Sequence, residues 1–154
     1  MSAYVATSVR TGRLRWWIIS LVTLGTILNY LARSSLSVAA PTLKEVLSLT
    51  TQQYSYVVGA FQGAYTIMQP VAGYLLDLLG TRVGFAVFAI GWSASNMLHA
   101  YAVGWHSLAL FRGLLGLTEA AVIPGGLKVV AEWFPPRERT VATGWFISAP
   151  RSVR

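Results

Sequence analysis

Cysteine is absent from the 154 residues of the chain, and charged residues make up only 11% of them. The lack of cysteine excludes disulfides, thiolate chemistry and cysteine metal sites. Soluble domains carry about 25% charged residues, so this chain has too few charges to cover a surface exposed to water. Hydrophobic residues make up 55% of the chain. They fall in blocks of roughly 20 residues, which is the length that crosses a bilayer. The composition therefore predicts an integral membrane protein.

Four full membrane spans and a truncated fifth can be drawn along the sequence. Backbone groups in hydrocarbon must satisfy their own hydrogen bonds, and alternating strand patterns are absent, so the spans are expected to be helices. The first span is expected to end at Pro41, and Gly125 and Gly126 after Pro124 are expected to form a bend or close-packing point in the fourth. The spans run over about 16–40, 54–79, 82–103 and 107–130, and the fifth begins near Val141.

Basic residues outnumber acidic ones by 12 to 5, which gives a net charge of +7. A nucleic-acid-binding protein carries such charge on solvated patches, whereas here it lies mostly at the ends of apolar blocks, so no nucleic-acid partner is expected. Lysine and arginine near span ends are enriched on the cytoplasmic side of a membrane. One side holds only Lys44. The other holds Arg10, Arg13, Arg15, Arg82, Lys128, Arg137 and Arg139. This bias predicts a cytoplasmic N-terminus.

Three ionisable residues, Arg33, Arg112 and Glu119, lie inside the spans. A charge at membrane depth costs about 2.5–3.5 kcal/mol on insertion scales, so such residues face a water-filled cavity or one another. Arg33 is interpreted as an anion-binding guanidinium, with a structural ion pair or snorkelling toward the outer surface as the alternatives. Asn29 and Tyr30 lie on the same helical face and place polar groups around it.

Arg112 and Glu119 lie two turns apart on one face of the fourth span. Glu119 is the one acid placed deep in a span, and burial favours the protonated form of a carboxyl group. The sequence therefore predicts a proton-coupling site at Glu119, while a permanent structural pair with an arginine stays open. Arg112 is interpreted as structural.

The second span carries a polar stripe formed by Gln62, Tyr65, Thr66 and Gln69. Polar stripes in membrane helices serve either to hold helices together or to line a substrate path, and the sequence leaves both interpretations open.

No motif of a catalytic or metal site is present. The chain has no phosphate-binding loop, no HExxH sequence and no group of serine, histidine and acidic residues that indicates a catalytic triad. His99 and His106 flank a short external turn and are interpreted as interfacial residues without a catalytic role. A small membrane enzyme is therefore disfavoured, and neither a metal nor a cofactor is expected.

The link between the second and third spans reads GYLLDLLGTRVG, from Gly73 to Gly84. It resembles the signature loop of the major facilitator superfamily, glycine-x-x-x-aspartate-x-x-glycine-x-basic, at Gly73, Asp77, Gly80 and Arg82. The resemblance implies the N-terminal part of a helix-bundle transporter, with these residues forming a cytoplasmic latch of the outward-open state.

Three further stretches narrow the resemblance: NYLARSSLSVAAPTL, RGLLGLTEAAVIPGG and EWFPPRER. They resemble the anion:cation symporter family, and the longer stretches around them resemble bacterial hexuronate transporters, which take up galacturonate and glucuronate. The resemblance implies that Arg33 holds the substrate carboxylate, that Tyr65 hydrogen-bonds the substrate, and that Glu119 takes part in proton coupling. Asn29, Tyr30 and Gln62 complete the expected substrate-binding set. Many relatives carry an aspartate where this chain has Ala32.

The expected function is therefore proton-coupled symport of a sugar acid across the bacterial inner membrane, driven by the proton gradient. The partners are the lipid bilayer, a hexuronate and protons. The alternative is a truncated membrane fragment that does not transport. Residues 1–12 are expected to form a cytoplasmic leader, 13–146 an incomplete N-terminal transporter half, and 147–154 an aberrant tail. Arg151 and Arg154 would lie inside a membrane helix, which is costly, so a frame shift is hypothesised for the tail.

Overall fold

A computed structural model describes the backbone of residues 2–148 and the side chains from Gly12 onward, Arg13 excepted. Most of the predicted tail, residues 149–154, lies outside the described residues. Over the described range the secondary structure is entirely helical, which confirms the predicted all-α class. The helices are α1 (Ser2–Val46), α2 (Thr51–Leu79), α3 (Thr81–Leu98), α4 (Trp105–Glu119), α5 (Val122–Trp133) and α6 (Pro136–Ser148), with a 3₁₀ turn at His99–Tyr101.

Two stretches of the described residues are long and apolar enough by themselves to cross a membrane. They are Leu14–Val46 and Trp105–Trp133, with mean hydropathies of 1.3 and 1.5. The second stretch contains both α4 and α5. The first stretch overlaps the predicted first span, and the second overlaps the predicted fourth span.

The predicted end of the first span at Pro41 is wrong, because α1 continues through Pro41 to Val46. The helix ends where Ser48 adopts a positive φ of 49°. The N–H of Leu49 then donates to the carbonyl of Lys44 at 2.8 Å, which satisfies one of the last free carbonyls of the helix. The left-handed residue, rather than the proline, is therefore the stop signal.

The predicted fourth span is divided into two helices. The helix α4 ends at Glu119 and α5 begins at Val122, so the break precedes Pro124 rather than following it. The alternative prediction of a close-packing point is confirmed at Gly125, where an added Cβ would lie 2.8 Å from the ring of Phe85. A proline ring clashes with the carbonyl four residues earlier in a continuous helix, which here is the carbonyl of Ala120. In the first turn of α5 the proline is tolerated because its missing N–H would have no helical partner there.

Other boundaries also differ from the sequence expectation. The helix α1 begins at Ser2, well before the expected start of the first span near residue 16. The helix α3 ends at Leu98, and the 3₁₀ turn replaces the expected last turn of the third span. The helix α6 begins at Pro136, about five residues before the expected start near Val141. Proline suits the first position of a helix, and the acidic Glu138 in the first turn complements the positive helix end.

The chain forms two compact units, Leu31–Gly125 and Met1–Tyr30 with Gly126–Arg154. In the second of these, which we call the terminal unit, Arg15 Nη2 lies 2.9 Å from Glu138 Oε2. Trp16 packs edge-on against Phe134 with ring centroids 5.2 Å apart. These contacts join α1 to α6 and to the end of α5.

Leu31–Gly125, which we call the central unit, is held by two clusters of buried apolar residues. One joins α2, α3 and the α4–α5 turn through Ala72, Leu76, Phe88, Ala120 and Ala121. The other joins the second half of α1 to α2 and α4 through Leu36, Leu49, Val57 and Leu108. The three helices that carry the candidate site therefore all contribute to the second cluster.

Candidate functional site

Arg33 lies in the second half of α1 and is partly buried within the central unit. Its Nη2 donates to Gln62 Oε1 on α2 at 3.2 Å. Its guanidinium carbon lies 4.5 Å from the ring centre of Phe61 and 4.9 Å from that of Tyr65. These partners are neutral, so the contacts orient the guanidinium without neutralising its charge.

The ring of Phe61 is shared between two cations. Arg112 on α4 lies 5.7 Å from the ring centre, measured from its guanidinium carbon. The rings of Phe61 and Tyr65 are stacked, with centroids 5.9 Å apart and an interplanar angle of 18°. Aromatic faces attract cations by about 0.5–2 kcal/mol, and more strongly where water is excluded. The two stacked rings therefore hold both arginines close to Phe61 without supplying a negative charge.

An open cavity of about 130 Å³ lies beside the two arginines. This is well above the roughly 10–15 Å³ that one water molecule needs. None of its lining residues is acidic. They are Arg33, Leu36, Ser37, Tyr54, Val58, Phe61, Gln62 and Arg112. Two guanidinium groups with hydroxyl and carboxamide neighbours form a place suited to an organic anion that also carries hydroxyl groups.

Arg112 and Glu119 are among the most deeply buried polar residues of α4. Arg112 is 4% exposed, and Glu119 is 0% exposed. Among the described residues, Arg112 Nε has no hydrogen-bond partner. Glu119 is the last residue of α4 and lies directly before the break at Ala120.

Tyr65 contributes a face to Arg33 and a hydroxyl to the polar stripe. Its hydroxyl accepts a hydrogen bond from Gln69 Nε2 at 3.2 Å, one turn further along α2. The structure thus brings Arg33, Gln62 and Tyr65 together. Asn29 and Tyr30 belong to the terminal unit, so their place beside Arg33 stays a prediction.

The signature loop lies at the junction of α2 and α3. Gly80 is the single residue between the two helices, and its φ of 75° is a conformation that favours glycine. Gly73 lies within α2, where an added Cβ would contact Pro124 at 3.9 Å. Asp77 and Arg82 are exposed. The positive φ at the junction therefore explains why position 80 is a glycine, while the role of the loop as a latch stays a prediction.

Sequence analysis missed Phe61, Tyr54 and Ser37 as neighbours of the site. Phe61 looks like an ordinary apolar residue of a membrane helix, and only its spacing of four residues from Tyr65 places the two rings on one face. Tyr54 lies at the start of α2 and Ser37 in the second half of α1, so their meeting at one cavity depends on packing that no local pattern encodes.

The family model described as Major Facilitator Superfamily matches residues 22–149. Over 133 residues the chain is 55% identical to the hexuronate transporter of Escherichia coli (strain K12), covering 86% of the chain and 31% of that protein. It is 56% identical over 133 residues to the galacturonate transporter of Dickeya chrysanthemi, covering 86% of the chain and 39% of that protein. The chain thus spans roughly a third of the length of these relatives. Both matches confirm the predicted resemblance.

A solved structure supports the fold. The chain is similar, with a TM-score of 0.79, to a bacterial homolog of the human lysosomal transporter Spinster in an inward-facing and occupied conformation. The similarity covers 88% of the chain and 30% of that structure, at 22% sequence identity. At this identity the likeness concerns the helix arrangement alone.

Proposed function

The chain belongs to the Major Facilitator Superfamily, and from this membership we propose that its residues serve the uptake of a sugar acid, a hexuronate, across the bacterial inner membrane. Members of this family are integral membrane transporters and not enzymes. The two relatives named above, a hexuronate and a galacturonate transporter, support a sugar acid as the transported substrate.

The proposal rests on the surroundings of Arg33, whose side chain has neutral contacts and lies beside a cavity. Its guanidinium borders a cavity and contacts the Gln62 carboxamide and two aromatic rings, which are neutral. A guanidinium offers a planar, bidentate fork that matches a carboxylate. The carboxylate of the sugar acid therefore binds Arg33, and the hydroxyls of the sugar meet Gln62 and Tyr65. Asn29 and Tyr30, earlier on α1, complete the polar surroundings of the substrate.

Transport is coupled to protons through Glu119. Its carboxyl group is fully buried at the end of α4, and Glu119 is the one acid that the sequence places deep in a span. Ala32 precedes Arg33 and has no ionisable group, so the first helix supplies no proton acceptor at that position. Glu119 therefore carries the proton that accompanies the sugar acid, and the signature loop with Gly73, Asp77, Gly80 and Arg82 latches the cytoplasmic side.

Uptake by a chimera tests this function. Residues 13–146 replace the corresponding segment of the hexuronate transporter of Escherichia coli (strain K12), and uptake of D-galacturonate is measured in cells that lack their own transporter. We expect uptake well above that of cells with an empty vector, and inhibition by a protonophore. A chimera that reaches the membrane and transports no sugar acid would contradict the function and favour a segment without transport activity.

The proposed orientation has the N-terminus in the cytoplasm. Because the chain has no cysteine, a single introduced cysteine reports its own accessibility without background. A cysteine introduced by Ser2→Cys is expected to react with a membrane-impermeant maleimide only after the cells are opened. Labelling of intact cells at this position would reverse the assignment.

A further inference from the structure

A second cavity, of about 240 Å³, lies within the central unit and borders α1, the end of α3 and α4. Arg112 and Leu36 line both this cavity and the one beside Arg33, so the two cavities have a common wall. We propose that the second cavity is a separate carboxylate-binding site, in which Arg112, Asn96 and a protonated His99 hold the anion. This proposal about the second cavity does not depend on which substrate the transporter carries.

The charge of the lining favours an anion. Of the nine lining residues, none is acidic, and His99 and Arg112 are the ionisable ones. The α1 wall contributes residues without an ionisable group, among them Ala32, Ser35 and Ala39. An anion entering the cavity therefore meets cationic or neutral groups on all three helices that border it.

The hydrogen-bonding state of Arg112 gives a second reason. The residue is 4% exposed, and its Nε has no hydrogen-bond partner among the described residues. A buried donor without an acceptor costs about 1–3 kcal/mol, and more for a charged group. A carboxylate beside Arg112 would supply the acceptor, and its charge would offset that of the guanidinium.

The hydrogen bonding of the His99 ring links anion binding at the proposed site to the uptake of a proton. Its Nδ1 lies 2.8 Å from the carbonyl oxygen of Ser95, which only accepts, so Nδ1 carries a hydrogen. The other nitrogen, Nε2, has no hydrogen-bond partner among the described residues. In the neutral ring Nε2 presents a lone pair and repels a carboxylate, whereas the protonated ring presents an N–H donor. Anion binding and proton uptake at His99 therefore favour each other.

This assignment changes the interpretation of His99 reached from the sequence. A histidine at the end of an external turn looks like an interfacial residue. In the structure it is partly buried, its ring centre lies 6.2 Å from that of Phe111, and it shares a cavity with Arg112. The turn thus carries a polar group inward, to a place that sequence spacing alone does not reveal.

Acetate is the probe that tests the site, because it carries a carboxylate and no sugar. The 154-residue chain is placed in lipid nanodiscs, and the number of acetate sites is measured by calorimetry at about pH 5.5 and pH 8, a range in which histidine changes charge. Acetamide, of nearly the same shape, serves as the uncharged control. We expect two acetate sites at the lower pH, no acetamide binding, and at least about a tenfold loss of affinity at one site at the higher pH.

Two variants locate the pH-sensitive site. Ala39→Leu adds an isopropyl group to the α1 wall of the second cavity, while Val38→Leu changes a neighbouring side chain that is 82% exposed. Ala39→Leu is expected to abolish the pH-sensitive site and leave the other within about twofold, whereas Val38→Leu retains both. Should Ala39→Leu fail to fold, Asn96→Leu removes a polar group from the α3 wall and is expected to have the same effect.

The outcomes separate this site from the proposed function. Fewer than two acetate sites, a second site with equal affinity at both pH values, or a second site that survives Ala39→Leu would each overturn the proposal. Two acetate sites together with a chimera that transports no hexuronate would support the second site and reject the proposed function. The reverse result would retain the function and reject the site.

Discussion

The terminal unit and the central unit use arginine in opposite ways. In the terminal unit, Arg15 is paired with the carboxylate of Glu138, and Arg139 donates to the carbonyl oxygens of Ala131 and Phe134 at 2.7 and 3.0 Å. In the central unit, Arg33 and Arg112 share the face of Phe61 and border open cavities. The first pair has oxygen acceptors on the chain itself, although Arg15 Nε, like Arg112 Nε, has no hydrogen-bond partner among the described residues. The second pair borders space that an anion can fill.

On the proposed function, this difference distinguishes arginines that stabilise the fold from those that bind the substrate. An arginine that donates to the last carbonyls of a helix, as Arg139 does, completes hydrogen bonds that the helix end leaves open. An arginine held by aromatic faces keeps its charge and most of its donors available. The contrast predicts that substitutions in the central unit affect transport first, whereas those in the terminal unit affect stability first.

The largest expected effect is that of Glu119→Gln. Glutamine resembles the protonated carboxyl group and cannot release a proton, so the chimera should lose proton-driven accumulation entirely while exchange of bound for free substrate survives. The measurement pairs membrane protein level with accumulation and exchange in vesicles. A structural role would instead leave a buried cation unpaired, at about 3–5 kcal/mol, and would lower expression and both transport modes. Intact accumulation would contradict both roles.

A smaller effect is expected from crowding the packing of α4 against α2. An added Cβ at Gly116 would lie 2.5 Å from the carbonyl oxygen of Phe61 and 3.2 Å from the nitrogen of Tyr65. Overpacking of this kind costs about 1–3 kcal/mol, and here it would displace the two rings that hold Arg33. Gly116→Ala should therefore lower both thermal stability in detergent and sugar-acid affinity.

Gly113 on the same helix provides the matched control. Its nearest neighbour to an added Cβ, the carbonyl oxygen of Ala60, is 4.0 Å away. Because alanine favours the helix over glycine by about 0.5–1 kcal/mol, Gly113→Ala should be neutral or stabilising. Equal losses of stability in Gly113→Ala and Gly116→Ala would contradict the close approach of α4 to α2 at Gly116.

The smallest effect is expected from Glu138→Gln in the terminal unit. Glu138 and Arg15 are 40% and 22% exposed at their side chains, so solvent screens their interaction. Pairs of this kind contribute about 0.2–1 kcal/mol. The variant should lose a few degrees of thermal stability at most and retain sugar-acid uptake, with Glu45→Gln as the control for removal of an exposed carboxylate. Loss of uptake with unchanged stability would mean that this ion pair serves transport directly.

The sequence predicted the fold class, and it singled out Arg33, Gln62 and Tyr65, which the structure brings together, because charges in an apolar helix and a polar stripe are local signals. The role of these three residues in substrate binding stays a prediction. The helix end at Pro41 was wrong and the helix break before Pro124 was missed, since a proline can lie inside a long helix or in the first turn of a new one. The shared face of Phe61 and the place of His99 beside Arg112 could not be predicted. Both arise from packing between helices, which one-dimensional spacing does not encode.

The most direct test of the carboxylate role of Arg33 is the preference of the chimera for an acid over a neutral sugar. Inhibition of labelled D-galacturonate uptake by unlabelled D-galacturonate and by D-galactose is compared in the parent chimera, in Arg33→Lys and in Arg15→Lys. A lost hydrogen bond to a charged group is worth about 1.5–3 kcal/mol, so Arg33→Lys should reduce the preference for the acid by about tenfold or more, while Arg15→Lys leaves it unchanged. A preference within about twofold of the parent in Arg33→Lys, at normal membrane expression, would contradict the assignment of the substrate carboxylate to Arg33.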